Sequence, residues 1–207
     1  MKGRTHHPAL WAAFPVLLLL LAGCGSETAL PALPPDAVIL AFGDSLTQGT
    51  GVKPQGSYPS VLEALTGRQV INAGKRGEES DAGLSRLPGV LTQVQPDMVI
   101  LGHGGNDILR RRDLDRTEDN LREMVELVRE RGASAVLLGI PNLGFFLGTH
   151  PMYERLSESL EVPLEDSALS DILGDGDLKS DPLHPNAAGY RELAEAVHRL
   201  LVKAGAL

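Results

Sequence analysis

The sequence predicts an α/β fold with a parallel sheet covered by helices on both faces. Two observations lead there. Short apolar runs of strand length alternate with helical patterns along the chain, which implies βαβ units. The clearest run is apolar throughout instead of alternating with polar residues, as for a strand buried on both faces.

The elements follow in order. AVILAF at 37–42 is a continuous apolar run of buried-strand length. YPSVLEALTG at 58–67 reads as a short helix ended by Gly67. RQVINAG at 68–74 is a second strand. Residues 80–95 read as a helix broken at Pro88, because proline removes a backbone donor and clashes with the preceding turn. DMVILGHG at 97–104 is a third strand. Residues 115–132 form the clearest amphipathic helix: Leu121, Met124, Val125 and Val128 share a stripe, acidic residues crowd its start, and Gly132 closes it. SAVLLGI at 134–140 is a fourth strand, 150–160 is helical, VPLEDSA at 162–168 is a weaker fifth strand, and 186–203 is a helix.

The N-terminus reads as an export leader. Lys2 and Arg4 precede an apolar run that contains Pro15 and ends in small residues, too short for a good membrane span. Leu21-Ala-Gly-Cys24 resembles the lipobox of bacterial lipoproteins, which implies cleavage before Cys24 and acylation of its sulfur and amine. Several acyl chains anchor stably where one does not. The expected organisation is a leader at 1–23, a lipidated, proline-bearing tether at 24–36, and one domain at 37–207. The expected location is the bacterial cell envelope, facing periplasm or exterior. Cys24 is the only cysteine, so disulfides, a cysteine nucleophile and thiolate metal sites are excluded once it is lipidated. The chain carries 19 Lys and Arg against 27 Asp and Glu, and loss of the leader makes it more acidic, a poor balance for binding nucleic acid.

In parallel sheets, sites lie beyond the carboxyl ends of the strands. Gly43-Asp44-Ser45 follows the first strand, Asn72-Ala73-Gly74 ends the second, Gly104-Gly105-Asn106-Asp107 follows the third, and Pro141-Asn142 the fourth. Ser180-Asp181-Pro182-Leu183-His184-Pro185-Asn186 precedes the last helix. A serine that opens a helix most often caps it. As a nucleophile it needs a base, and among the domain's four histidines His184 stands out. Asp181, three residues earlier in a turn stiffened by two prolines, could orient its ring. Pro185 suits a first helical position, which would place His184 at a helix N-terminus. Gly74, the Asn106 side chain and the Ser45 amide are candidate donors to an oxyanion.

These residues together resemble the SGNH or GDSL hydrolases. GDSLTQG resembles the first block of that family, NAG at 72–74 the second, GGND the third and DPLHPN the fifth, over roughly residues 37–203. GIPNLG and the block spacing look most like the bacterial arylesterase, thioesterase and lysophospholipase branch. The resemblance implies a three-layer α/β/α, flavodoxin-like fold with a five-stranded parallel sheet. It implies Ser45 as nucleophile, Asp181 and His184 completing a triad, Gly74 and Asn106 as oxyanion donors, and no cofactor or metal. The expected substrate is a small acyl ester, thioester or lipid. No Gly-x-Ser-x-Gly elbow is present. Two departures stand out. Lys75-Arg76 replaces an apolar and a small residue, and could favour anionic substrates. Gly102-His103 replaces an acidic-apolar pair, with His103 expected to be packed or hydrogen-bonded. Phe145, Phe146 and Met152, in a loop at 141–153, are the candidate acyl pocket. A carbohydrate O-deacetylase and a non-catalytic binding module are the alternatives, and the oligomeric state is open.

Overall fold

The computed structural model describes residue 3 and residues 28–142 and 148–207. In chain order the elements are β1 (Val38–Gly43), α1 (Ser45–Gln48), α2 (Tyr58–Thr66), β2 (Gln69–Gly74), α3 (Ser80–Val94), β3 (Met98–Gly102), α4 (Gly105–Leu109) and α5 (Leu114–Glu130). They continue with β4 (Ser134–Leu138), α6 (Pro151–Leu160), β5 (Leu164–Glu165), α7 (Ala168–Gly174), β6 (Lys179–Asp181), β7 (His184–Pro185) and α8 (Ala187–Lys203). The leader, Cys24, Phe145 and Phe146 lie outside the described residues.

The five-stranded sheet is parallel, in the order β2-β1-β3-β4-β5. Its centre is the apolar run read first: Ile39, Leu40, Ala41 and Phe42 are fully buried, as is β3 from Met98 to Leu101. Helices cover the sheet, with α2 packed against α8 and α3 against α5. In α5 the expected stripe of Leu121, Met124, Val125 and Val128 is the buried one, and Asp113 caps the helix by accepting from the Asp115 and Arg116 amides.

Register sets up the site. Gly43 pairs with Gly74 on one side and with Gly102 on the other, so β1, β2 and β3 end at one level. The chain leaves β1 to form β2 on one flank and returns to form β3 on the other. That reversal opens a crevice at the carboxyl ends of β1 and β3, where such sheets hold ligands.

Several local expectations are corrected. Helix α3 runs through Pro88 unbroken. Leu87 and Leu91 are fully or nearly fully buried, and Leu84 and Val94 pack on the core, so one apolar face is held on both sides of the proline. Tertiary packing outweighs the lost backbone bond. The fifth strand is only two residues long, because the Glu165 carboxylate accepts from the Ala168 amide and starts α7 inside the expected strand. Pro185 does not open the last helix. It lies in β7, and Asn186 caps α8 through the Ala188 and Gly189 amides. His184 therefore sits on a two-stranded ribbon and not at the helix N-terminus.

Gly43 is required by close approach. A Cβ there would overlap Thr47 Oγ1 and come within 2.6 Å of the Gly102 carbonyl oxygen, a backbone atom that cannot yield. Gly43→Ala is expected to destabilise the fold by about 1–3 kcal/mol, the usual cost of overpacking. An unchanged urea midpoint would contradict this packing.

Candidate active site

The turn after β1 settles what Ser45 does locally. Asp44 is the cap of α1: its Oδ1 accepts from the Leu46 amide at 3.0 Å. Ser45 is the first helical residue, and its hydroxyl points elsewhere. Its Oγ lies 3.1 Å from His184 Nε2. The other ring nitrogen, Nδ1, lies 2.9 Å from both carboxylate oxygens of Asp181. Asp181 Oδ1 also accepts from the backbone amides of Leu183, at 2.8 Å, and His184, at 3.0 Å. Burial works to raise the Asp181 carboxyl, but these amides and the His184 ring outweigh it and hold it below the usual carboxylate range. An ionised Asp181 accepts a hydrogen bond from the Nδ1–H, which leaves the Nε2 lone pair facing the Ser45 hydroxyl.

The ribbon that carries Asp181 and His184 packs closely on the segment after α1, where a Cβ on Gly51 would overlap Ser180 Oγ. Within the ribbon Ser180 Oγ donates to the Pro185 carbonyl at 3.1 Å, and in α8, which follows it, Tyr190 Oη donates to the Thr50 carbonyl at 3.0 Å. These contacts bring together residues 139 positions apart in the chain.

Across the crevice, Asn106 is the second residue of α4 and is buried. Its amide nitrogen donates to Asp44 Oδ2 at 3.0 Å and to the Glu78 carbonyl at 3.1 Å. Asp107 steadies the same turn by accepting from the Ser80 amide and hydroxyl, the latter at 2.7 Å. Burial pushes the Asp44 carboxyl up to about 7, opposed by the Leu46 and Asn106 donors and reinforced by Asp107 and Glu78.

Gly74 is not at this site. Its amide donates to Asn72 Oδ1 at 2.9 Å, and a Cβ there would overlap the backbone of Gln48. The glycine is needed to let β2 end beneath α1. Gly77, in the turn that follows, lines the cavity beside Ser45 and Asn106. Its φ of +73° lies in the left-handed region that favours glycine. Among the described residues the amides of Gly77 and Ser45 donate no hydrogen bond, so both are open to a ligand. The second glycine of GKRG was the available signal for Gly77, but only the register shows which glycine terminates the strand.

Glu78 anchors that turn from below. Its carboxylate is almost wholly buried and takes Arg86 Nε at 3.0 and 3.1 Å and Nη2 at 2.5 Å. Arg86 also donates to the Ala73 carbonyl and lies 4.2 Å over the Phe42 ring. Burial would raise the Glu78 carboxyl, but Arg86 more than offsets it and holds the group low. Lys75 is taken up by the same carboxylate at 3.2 Å. His103 is packed, as expected, against Gly83 and Phe42. Its Nε2 is 3.5 Å from Glu78, but neither ring nitrogen has a hydrogen-bonded partner. Burial pushes the ring down to about 4, against the pull of Glu78.

The crevice is a cavity of about 220 Å³ that contains Ser45, Asn106 and His184. Ile140, Pro141, Leu173 and Leu183 form an apolar wall, while Arg76 and Arg110 stand on the side of Gly77. Met152 is not part of it: it is fully buried in α6, where its methyl packs near Gly104, so it belongs to the core. Leu173 and Leu183 take the lining role expected of Met152, and neither carries a sequence signal separating it from ordinary packing residues. A larger groove of about 920 Å³, between residues 28–29, α6, β5 and the end of α8, holds none of Ser45, Asn106, Asp181 and His184, so size does not locate the chemistry. Among the described residues no group of three or more His, Cys, Asp or Glu could hold a metal ion.

A profile of the GDSL-like Lipase/Acylhydrolase family matches residues 41–192, and the chain belongs to that family. The chain is 33% identical over 176 residues to an arylesterase of Vibrio mimicus, covering 80% of this chain and 88% of that one. It is 31% identical over 156 residues to thioesterase 1/protease 1/lysophospholipase L1 of Escherichia coli, covering 72% and 75%. The crystal structure of TesA superposes with a TM-score of 0.73 at 26% identity, over 81% of this chain and 99% of that one. The protein is thus an ester-hydrolysing serine hydrolase of the esterase, thioesterase and lysophospholipase type.

Two outcomes are expected from the groups beneath the site. Arg86→Met leaves the Glu78 carboxylate buried without its main partner and should cost about 3 kcal/mol in urea unfolding. Adding Glu78→Gln should recover part of that loss. The His103 ring is held neutral in the fold, so below pH 6.5 the unfolded chain binds a proton that the folded chain refuses. This ring therefore lowers stability as pH drops from 6.5 toward 4, while the raised Asp44 carboxyl, which takes up a proton in the fold over the same range, acts in the opposite sense. His103→Leu should therefore gain thermal stability relative to the wild type as pH falls from 6.5 toward 4 and change it little at pH 8, because the ring nitrogens make no hydrogen bonds.

Proposed function

We propose that this hydrolase works through an acyl-enzyme on Ser45. The observation that carries the reading is the unbroken line from Ser45 Oγ to His184 Nε2 at 3.1 Å and from Nδ1 to Asp181 at 2.9 Å. Ser45 Oγ attacks the acyl carbonyl carbon, and His184 Nε2 takes its proton. Asp181 orients the ring and stabilises the imidazolium. The oxyanion accepts from the open amides of Ser45 and Gly77. Asn106 contributes by sharing an N–H that the free enzyme gives to Glu78 or Asp44, a bond of the kind that re-aims when substrate arrives. The carbon–oxygen or carbon–sulfur bond then breaks, and His184 returns the proton to the leaving group. Water attacks the acyl-enzyme by the reverse relay and releases the acid.

The wall of Ile140, Pro141, Leu173 and Leu183 suits a short or medium acyl chain. Phe145 and Phe146, just beyond Pro141 in the chain, are proposed to extend that wall. The leader and Cys24 support a further reading, that the domain is tethered to an envelope membrane by lipid on Cys24. Cys24→Ala should then abolish labelling by a palmitate analogue.

With p-nitrophenyl acetate, butyrate and octanoate as substrates, Ser45→Ala and His184→Ala of residues 25–207 should each lose about 10³-fold or more in kcat, and Asp181→Asn a comparable amount. Retention of wild-type rates by Ser45→Ala would overturn the acyl-enzyme.

A further inference from the structure

We infer that Arg76 forms a subsite for a negatively charged group on the substrate, so that the enzyme prefers esters or thioesters carrying a phosphate. The inference rests on the Ser45 acyl-enzyme reading and narrows its substrate class. It begins with the size of the cavity. At about 220 Å³ it encloses little more than the reacting ester and a short acyl segment. The remainder of any larger substrate must lie across the rim. Leu109 and Leu183 are exposed there, at 45% and 36%, and both line the cavity mouth. The charged members of the rim are Arg76 and Arg110.

The cations of this region are not equivalent. Lys75 is bound to the buried Glu78 carboxylate. Arg110 gives its Nη1 to Glu79 at 2.5 Å and to the Gly77 carbonyl at 3.1 Å, so it steadies the Gly77 turn. Arg112 is shared with the same Glu79, and Arg86 is committed to Glu78. Arg76 differs: it is exposed, it lines the cavity that holds Ser45, and it makes no hydrogen bond or ion pair among the described residues. An unpaired guanidinium at the mouth of a site, in a chain of net charge −8, is a localised attraction within a repulsive surround. Its planar fork of donors matches the oxygens of a phosphate. Arg76 and Gly77 line the cavity on the side away from the apolar wall, so a group held by Arg76 would sit at the rim without occupying the place of the acyl chain.

A phosphate could come from a lipid-type headgroup or from a nucleotide thioester. The test uses the full-length chain in nonionic detergent and four water-soluble butyryl substrates in matched pairs: monobutyrylglycerol and its phosphate monoester, and S-butyryl pantetheine and butyryl-coenzyme A. Neutral p-nitrophenyl butyrate is the fifth. The wild type should favour the phosphate-bearing member of at least one pair, and which pair identifies the source. Arg76→Gln should lower kcat/KM on that member by about fivefold to tenfold, chiefly through KM, and leave p-nitrophenyl butyrate within about twofold. Arg76→Glu should lower it further, and the wild-type preference should shrink as salt is raised. Equal effects of Arg76→Gln on charged and neutral substrates, or no wild-type preference in either pair, would overturn the subsite. Failure of the underlying reading looks different: p-nitrophenyl butyrate would then be turned over equally by wild type and Ser45→Ala.

Discussion

The site depends on one buried carboxylate. Asp44, at the end of the central strand, accepts from the Leu46 amide and from Asn106 Nδ2 with its two oxygens. The first bond starts helix α1 and sets the direction in which Ser45 leaves the strand. The second holds the start of α4, so the serine and the asparagine that face the crevice are fixed against each other. Space around Asp44 is tight: a Cβ on Gly105 would stand 3.1 Å from Oδ2. The cost is visible in the carboxyl itself, which burial pushes up to about 7. A carboxylate desolvated that far persists because two strand-end turns need the same acceptor.

The turn after β2 is secured by a second anion. Glu78 lies beneath Gly77, accepts from Asn106 Nδ2 with its backbone carbonyl, and has its own charge met by Arg86 and Lys75. The three turns that follow β1, β2 and β3 are thus joined by polar contacts over a common sheet edge. Asp181 and His184 come from outside this set. They reach Ser45 on a short ribbon placed by the packing of Ser180 against Gly51 and by the Tyr190–Thr50 bond of α8, not by the sheet register. The crevice is bordered by strand-end turns on one side and by the ribbon and Pro141 on the other.

Much of the fold was legible in the sequence. The strands at 37–42, 68–74, 97–104 and 134–140, the helix at 115–132 and the polar motifs after each strand all fell within a few residues of their observed places, because continuous apolar runs and capping residues act locally. The misreadings share one cause. Pro88 predicted a break, but the core held both halves of the helix. Pro185 predicted a helix start, but the ribbon claimed it and Asn186 supplied the cap. Met152 was read as a loop residue facing substrate, and it is a helix residue facing the core. In each case local chemistry permitted two outcomes, and packing at a distance selected one.

By itself, the sequence determined the α/β class, the order of elements and the residue types available at each strand end, since these follow from periodicity and from the needs of turns and caps. Membership of the GDSL-like family was also readable from those motifs. Only the tertiary structure decided which members of each motif meet. It placed Ser45 within 3.1 Å of His184, directed Gly77 to the cavity while burying Gly74 under α1, and left Arg76 unpaired while Lys75 was neutralised. Those distinctions depend on register and on contacts between segments far apart in the chain, and neighbouring residues of the same type cannot be told apart until those contacts exist.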